Sequence, residues 1–291
     1  MYHKPDRNDL CWCNSGKTYK SCHYEIEKRM KIYERKGHIV PGRALIKTNE
    51  QIEGIRESGK INTAILDYVS ERIQSGRSTQ EINQMVYDRT LSYGAIPAPL
   101  GYRGFPKSVC TSINQEVCHG IPSEYIIMQE GDILNVDVST IYQGFYSDAS
   151  RMYLLGEVSP ERKRLVETAK EAVEVGLSQV EPWNFLGDMG QAINDFAISQ
   201  GYSVVREVGG HGVGLLIHEE PFVSYVTRRG TEMLMVPGMV FTIEPMINMG
   251  SNEIRLDADN GWTIYTKDGK DSAQWEVTVL ITDNGHEILA Y

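Results

Sequence analysis

GDILNVDVSTIYQGFYSDAS, residues 131–150, reads as two strands folded back on each other. The first arm, Ile133-Leu134-Asn135-Val136-Asp137-Val138, is apolar enough for a strand buried on at least one face. Burial explains the Ile, Leu and Val but not the acid, because desolvating a lone carboxylate is costly. Gln143-Gly144 has the composition of a hairpin turn. The midpoint of 137 and 148 falls at 142–143, inside that turn, so the hairpin is expected to bring Asp137 and Asp148 together across its strands. Two like charges at such a place need a cation or a shared proton. An exposed hairpin with two solvated acids is the blander alternative, and the apolar neighbours of Asp137 weigh against it.

Outward from the hairpin the chain repeats itself. Helical spacing predicts helices over 50–73 and 79–92, and again over 161–180 and 187–200. Glu57-Ser58-Gly59-Lys60 resembles Glu167-Thr168-Ala169-Lys170, and Ile82-Asn83 resembles Ile193-Asn194. Each helix pair leads into a strand-rich stretch. GDILNVD places Asp137 after Gly131 as GMVFTIE places Glu244 after Gly238, each acid near the end of an apolar strand. A duplication with an acid in each half points to a site at the seam between them.

Further candidates lie downstream. His211 is flanked by glycines in Gly209-Gly210-His211-Gly212, which let the backbone pass close to a neighbour and leave the imidazole clear. His218 follows in Ile217-His218-Glu219-Glu220-Pro221, and Glu276 interrupts the strand-like run Ala273-Gln274-Trp275-Glu276-Val277. Singly, each reads equally well as a satisfied core polar group. Jointly, Asp137, Asp148, His211, Glu244 and Glu276 suit two divalent ions. Carboxylates with one imidazole match Mn, Fe(II), Co or Zn better than a thiolate site would. In two-metal hydrolases such ions sit about 3.5–4 Å apart and lower a shared water's pKa to roughly 7.

The bulk composition fits a globular enzyme: 291 residues, 41% hydrophobic and 23% charged. No run of about 18 apolar residues is present, so no membrane span is expected. The start, MYHKPDRNDLCWC, lacks the apolar stretch of a secretory signal, which favours the cytosol. The net charge of −10 is uneven: residues 1–47 carry 11 Lys and Arg against 5 Asp and Glu. The acidic remainder is a poor nucleic-acid binder, while the basic head could touch a polyanion. His3, His38, Lys47, Arg103, Arg206 and His286 read as solvated surface.

The strings CHGIP (118–122), NVDVS (135–139), SDAS (147–150), GGHGVG (209–214), HEEP (218–221), TIEP (242–245) and SAQWEVT (272–278) resemble, in order and spacing, the type I methionine aminopeptidases. The resemblance covers about residues 41–291. It implies an α/β (α+β) pita-bread fold, in which a pseudo-two-fold duplicated helix pair and antiparallel sheet close around a dinuclear metal site. It implies that Asp137 chelates one ion, that Asp148 and Glu276 bridge both, and that His211 and Glu244 complete the coordination of the second ion. It makes Glu244 the proton carrier, His218 the oxyanion partner and His119 a hydrogen-bonding partner of the scissile amide. It assigns Tyr102, Phe105, Cys110 and Trp262 to an apolar pocket for the substrate methionine. The activity implied is excision of the N-terminal methionine from nascent polypeptides, with a small second residue preferred and blocked N-termini refused. The family often carries Cys near Pro99, Tyr at Phe105 and Phe at Ile217, so the pocket shape here is expected to differ. Other readings on the same fold are a proline-specific exopeptidase and a catalytically silent binding protein. The first carries a longer N-terminal domain, and the second tends to lose ligands that this chain retains.

Five cysteines, unevenly spread, argue against a disulfide framework. Cys11, Cys13, Cys22 and His23 supply four closely spaced ligands, the set for a closed tetrahedral structural Zn²⁺ site. CWCNSGKTYKSCH resembles the small zinc motif at the C-terminus of the SecA translocation ATPase. So short a segment cannot build a core, and the metal is expected to supply its folding energy. Residues 1–40 are therefore expected to form a zinc-binding extension and linker, and 41–291 the catalytic domain. The basic head with its zinc knuckle suggests docking to the ribosome, with nucleic-acid binding an accessory role at most. A monomer suffices for all of this.

Overall fold

A computed structural model describes residues 5–291; His3 lies outside them. Helix α1, Tyr24–Arg35, follows the Cys-rich segment. Helix α2, Asn49–Ser70, begins at a capping box in which Thr48 accepts the Gln51 N–H and the Gln51 side chain accepts the Thr48 N–H. Helix α3, Thr79–Ser92, starts in the same way from Ser78 and Glu81. In the second half, Ser159 caps α4, Pro160–Leu177, with proline at its first position. Asp188 accepts the Phe185 N–H at the start of α5, Leu186–Ser199. All four helices expected from the spacing of apolar residues form, with ends shifted by up to three residues.

The central hairpin pairs Ile133–Tyr142 with Phe145–Leu154 around Gln143-Gly144. Its partner in the second half pairs Val240–Ile243 with Val277–Thr282. Leu134, Val136 and Val138 turn toward Ile65, Leu66 and Val69 of α2 and Ile82 and Val86 of α3. Phe241, Ile243, Val277 and Val279 do the same toward Leu165, Ala169 and Val173 of α4 and Met189 and Ile193 of α5. Because side chains alternate along a strand, Asp137 and Ser139 fall on the opposite, helix-free face.

The duplication is visible in detail. Gly131 and Gly238 both have φ of +92°. The Gly131 N–H donates to Leu155 O at 2.7 Å and the Gly238 N–H to Ile281 O at 2.8 Å, each just outside the strand pair it opens. The halves are stitched along one seam. A bridge joins Ser150 to Glu276, whose N–H donates to Ser150 O at 3.1 Å. The Thr278 hydroxyl donates to Asp148 O at 2.6 Å. Asn135 Nδ2 donates to Gln274 O at 2.8 Å.

The extension lies on the second half. Met30 joins its core, with Trp12, Ile26 and Tyr33 packed at the edge. Tyr33 stacks on Trp183 at 6.3 Å, and the Arg29 guanidinium sits 4.1 Å from the Trp183 ring centre. The stretch leading to Pro41 is laid down on the body as well: Ile39 bridges to Met233, and its carbonyl accepts the Leu234 N–H at 2.9 Å.

Candidate metal centre and substrate pocket

Asp137, Asp148, His211, Glu244 and Glu276 all line one cavity of about 410 Å³ on the helix-free side of the seam. Asp137 and Asp148 come from the central hairpin. The pairs Ile243–Val277 and Met246–Gln274 set Glu244 opposite Glu276 in the second half. His211 sits on Gly210–Gly212, hydrogen-bonded between its neighbours. The glycines are needed there: a Cβ on Gly210 would meet Thr242 O and the Tyr225 hydroxyl, and one on Gly209 would meet Val223 O.

The hairpin differs from expectation in one respect. Asp137 pairs with Ser150 and Asp148 with Ser139, so the two acids are diagonal rather than directly opposed, though on the same face. Ser139 Oγ donates to Asp148 Oδ1 at 2.9 Å, while Asp137 Oδ1 is buried without a hydrogen-bond partner.

Burial raises the pKa of every acid in the cluster: Asp137 to about 6, and Asp148, Glu244 and Glu276 well above the usual carboxylate range. The acids' repulsion of one another adds to this for Asp148, Glu244 and Glu276. Among the described residues no lysine or arginine is ion-paired to any of them; the basic neighbour is His211, whose Nε2 lies 3.7 Å from Asp148 Oδ2 and 3.5 Å from Glu244 Oε1. Burial lowers the His211 pKa to about 3, so the ring is neutral. Its Nδ1 lies 3.0 Å from Gly212 O and, as donor to that carbonyl, leaves the Nε2 lone pair aimed into the cluster. Ligand atoms of Asp148, His211 and Glu276 lie within 4.8 Å of one another.

The expected pocket residues flank this cluster. Phe105 and Trp262 meet edge to face at 5.2 Å, and Tyr102 and Cys110 also line the cavity. His119, at φ +57°, ends the strand Glu116–Cys118 and stands 6.2 Å from the Trp262 ring. Burial depresses its pKa to about 4, and His218 nearby adds to this. His218 sits at the mouth, 4.3 Å from the His211 ring, with Nδ1 3.0 Å from the Tyr102 hydroxyl.

In the extension, Cys11 Sγ and Cys22 Sγ each lie 3.2 Å from His23 Nδ1, and Cys13 Sγ lies 3.5 Å from Cys22 Sγ. These separations are far longer than a disulfide bond of about 2.05 Å. They approach the edges of a tetrahedron around zinc, roughly 3.5–3.8 Å for the usual Zn–S and Zn–N bonds.

The sequence profile of metallopeptidase family M24 matches residues 53–283, and that of the SEC-C motif matches residues 7–25. A methionine aminopeptidase of Chlamydia trachomatis is 43% identical over 291 residues, covering 97% of this chain and 98% of the relative. Methionine aminopeptidase A of Synechocystis is 46% identical, covering 83% and 95%. The chain belongs to metallopeptidase family M24, among its methionine aminopeptidases. The crystal structure of methionine aminopeptidase from Rickettsia prowazekii superposes with a TM-score of 0.83 at 41% identity, over 84% of this chain and 99% of that one. The fold is the pita-bread arrangement of this family.

A metallopeptidase needs a divalent cation, and the residues fit one. The donors are carboxylate oxygens and an imidazole, Asp137 Oδ1 has no other partner, and uncompensated burial of these acids calls for positive charge.

Several supporting residues escaped the sequence reading. Thr242 Oγ1 donates to Glu244 Oε1 at 2.7 Å and Gln274 Nε2 to Glu244 Oε2 at 2.9 Å. Tyr225 OH accepts the Glu244 N–H at 2.7 Å. Ser139 and Thr242 stand two residues from an acid on its own strand, and Gln274 two from Glu276, the spacing that marks a shared face. Lys47, read as solvated surface, is instead buried and ion-paired to Glu219. Cys118 and Met246, also unassigned, line the cavity.

Proposed function

We propose that this chain removes the N-terminal methionine from newly made polypeptides by hydrolysis at a paired divalent-metal centre, with a small second residue preferred. The observation that carries the reading is the gathering of Asp137, Asp148, His211, Glu244 and Glu276 around one cavity beside an apolar wall. In this reading Asp137, Asp148, His211, Glu244 and Glu276 would hold the ions. When bound, the cations (Fe(II), Mn, Co or Zn) supply Lewis acidity and offset the buried negative charge.

The protein side chains do the rest. Glu244 takes the proton of the attacking water and passes it to the leaving amine. Thr242 and Gln274 hold its two oxygens, so the carboxylate is oriented before substrate arrives. With the Tyr102 hydroxyl donating to His218 Nδ1, the proton of that ring lies on Nε2, free to donate to the substrate carbonyl as negative charge develops. His119, kept neutral by burial, donates to the scissile amide. Tyr102, Phe105, Cys110 and Trp262 take up the methionine side chain.

The deciding experiment is release of methionine from Met-Ala-Ser after metal removal and add-back of each ion, run beside N-acetylated and Xaa-Pro peptides. Release from the free peptide alone is expected. No release with any ion, or faster cleavage of Xaa-Pro, would overturn the reading.

For the extension, Cys11, Cys13, Cys22 and His23 hold a structural zinc, and the basic head docks on the ribosome in the cytoplasm, where new N-termini emerge. The positive balance of residues 1–47 supports this, as does the exposure of Lys17 and Lys20. Co-sedimentation with ribosomes should weaken in a Lys17→Glu/Lys20→Glu variant; equal pelleting would remove the docking role.

A further inference from the structure

Lys47 is the one lysine buried among the described residues, at 3% exposure. Isolated burial of an ammonium is costly, so its place calls for a reason. It sits at the end of the short strap Arg43–Lys47 that leads from the extension into α2. The strap is held at both ends. Arg43 makes a two-pronged ion pair with Glu27 of α1, at 2.7 and 3.0 Å. The Lys47 N–H donates to Gly238 O at 2.8 Å.

The Lys47 ammonium pairs with Glu219 Oε2. The other oxygen, Glu219 Oε1, accepts the N–H groups of Leu215 at 2.5 Å and Leu216 at 3.0 Å. Both oxygens of this carboxylate are thus committed, one to the strap and one to the turn 214–219. His218 is the adjoining residue of that turn. A second tie fixes the turn's start, where Gly214 O accepts the Tyr146 N–H at 2.8 Å.

We propose that Lys47 is a positioning residue for hydrolysis: through Glu219 it holds the turn that aims His218 at the substrate carbonyl. This rests on His218 being the oxyanion partner. Without the ammonium, Glu219 has no cationic partner among the described residues, and its side chain is only 10% exposed. The carboxylate then stays buried without positive charge beside it or swings to solvent. Either change weakens its hold on the Leu215 and Leu216 amides, and the histidine beside it loses its fixed direction.

The test compares Lys47→Met and Lys47→Arg in the wild-type and His218→Ala backgrounds, using full-length, metal-loaded protein and Met-Ala-Ser. Loss of an aimed oxyanion partner predicts that Lys47→Met lowers kcat about tenfold or more while KM and metal content barely move. Lys47→Arg should recover part of the loss. On the His218→Ala background Lys47→Met should cost less than about twofold, because the group it positions is gone. Equal losses in both backgrounds, or a Lys47→Met enzyme within about twofold of wild type, would overturn the proposal.

Leaving Glu219 buried and unpaired lowers stability, so Lys47→Met/Glu219→Gln guards against a folding artefact. It should regain melting temperature but not kcat; recovery of both would reduce Lys47 to a purely structural role. Amide hydrogen exchange gives a readout independent of turnover. Leu215 and Leu216 should exchange faster in Lys47→Met, and unchanged protection would sink the idea. A wild-type protein that releases no methionine would count against the peptidase reading, with the exchange data still judging the link between Lys47 and the turn.

Discussion

Asp148 stands opposite Ser139 in the central hairpin, leaving Asp137 opposite Ser150. The two acids are therefore diagonal neighbours, offset by one pair along the same face. The offset lets a hydroxyl satisfy one oxygen of Asp148 and leaves Asp137 Oδ1 unpaired. It also sets Asp148 on the strand edge that meets the second half, where Thr278 and Glu276 approach. The seam thus brings an acid from each half to the same place, and the fold gathers a set of charges that it cannot itself neutralise.

The metal-free protein should lose stability as pH rises above about 6.5. Burial raises the folded pKa of Asp137 to about 6 and holds those of Asp148, Glu244 and Glu276 well above the usual carboxylate range. A carboxyl whose folded pKa is raised binds its proton more tightly in the native state. Its stabilising effect is complete below the unfolded pKa and disappears as pH rises through the folded one, by roughly 1.4 kcal/mol per pH unit for each extra proton held. His119 and His211, depressed to about 4 and about 3, act in the opposite sense below pH 6.5 or so, where the unfolded chain protonates them. Glu116, raised by burial to about 7, contributes equally with and without metal. The difference in melting temperature between chelated and metal-loaded protein should therefore widen from about pH 6.5 to 8.5. A constant difference would show that these acids are not held protonated without the ions.

Glu244→Gln should lower kcat about 10²–10⁴-fold, the usual contribution of a positioned acid–base group. The amide keeps the shape and can still meet Thr242 and Gln274, so the melting temperature of the metal-free variant should be no lower than that of wild type. Metal content must be measured alongside, since Glu244 also faces His211 at 3.5 Å. Near wild-type turnover would remove Glu244 as the proton carrier.

The parts legible in the sequence were those set by local periodicity. The helix expected over about 79–92 forms at Thr79–Ser92, and the structure shows why it starts there: Ser78 and Glu81 form a capping box. The clustered acids stood out because a carboxylate inside an apolar strand has no local explanation. The exact register did not, because a one-residue difference in the turn's pivot moves Asp148 from facing Asp137 to facing Ser139. Lys47 was misread because its partner lies 172 positions away, and nothing near it in the chain reveals an acid waiting in the second half. The seating of α1 against Trp183 and Phe185 was hidden for the same reason.

Trp262→Ala should blunt selection for methionine. The ring is half-buried and meets Phe105 edge to face, so truncation opens the wall without emptying the core. Losing such an apolar contact typically costs about 1–3 kcal/mol of discrimination. The ratio of kcat/KM for Met-Ala-Ser over Leu-Ala-Ser should fall by about tenfold, mostly through KM for the methionine peptide. An unchanged ratio would place side-chain selection elsewhere in the cavity.

Cys22→Ser tests the extension while leaving the catalytic cluster untouched. Its sulfur lies 3.2 Å from His23 Nδ1 and 3.5 Å from Cys13 Sγ, so its loss opens the ligand set. Among the described residues, Cys11, Cys13 and Tyr19 form the buried centre of this segment, too little apolar surface to hold a fold. Structural zinc contributes about 10–16 kcal/mol in small modules of this kind, so the segment before α1 should unfold. Helix α1 should stay seated, because Met30 and the Tyr33–Trp183 stack do not depend on the cysteines. The expected result is loss of zinc from the module, rapid tryptic cleavage at Lys17 and Lys20, and hydrolysis of Met-Ala-Ser close to wild type. Retained zinc with unchanged protection from trypsin would mean that Cys22 is not a ligand. Loss of hydrolysis in step with zinc would mean that the disorder spreads along α1, through Glu27 and Arg43, into the strap that carries Lys47.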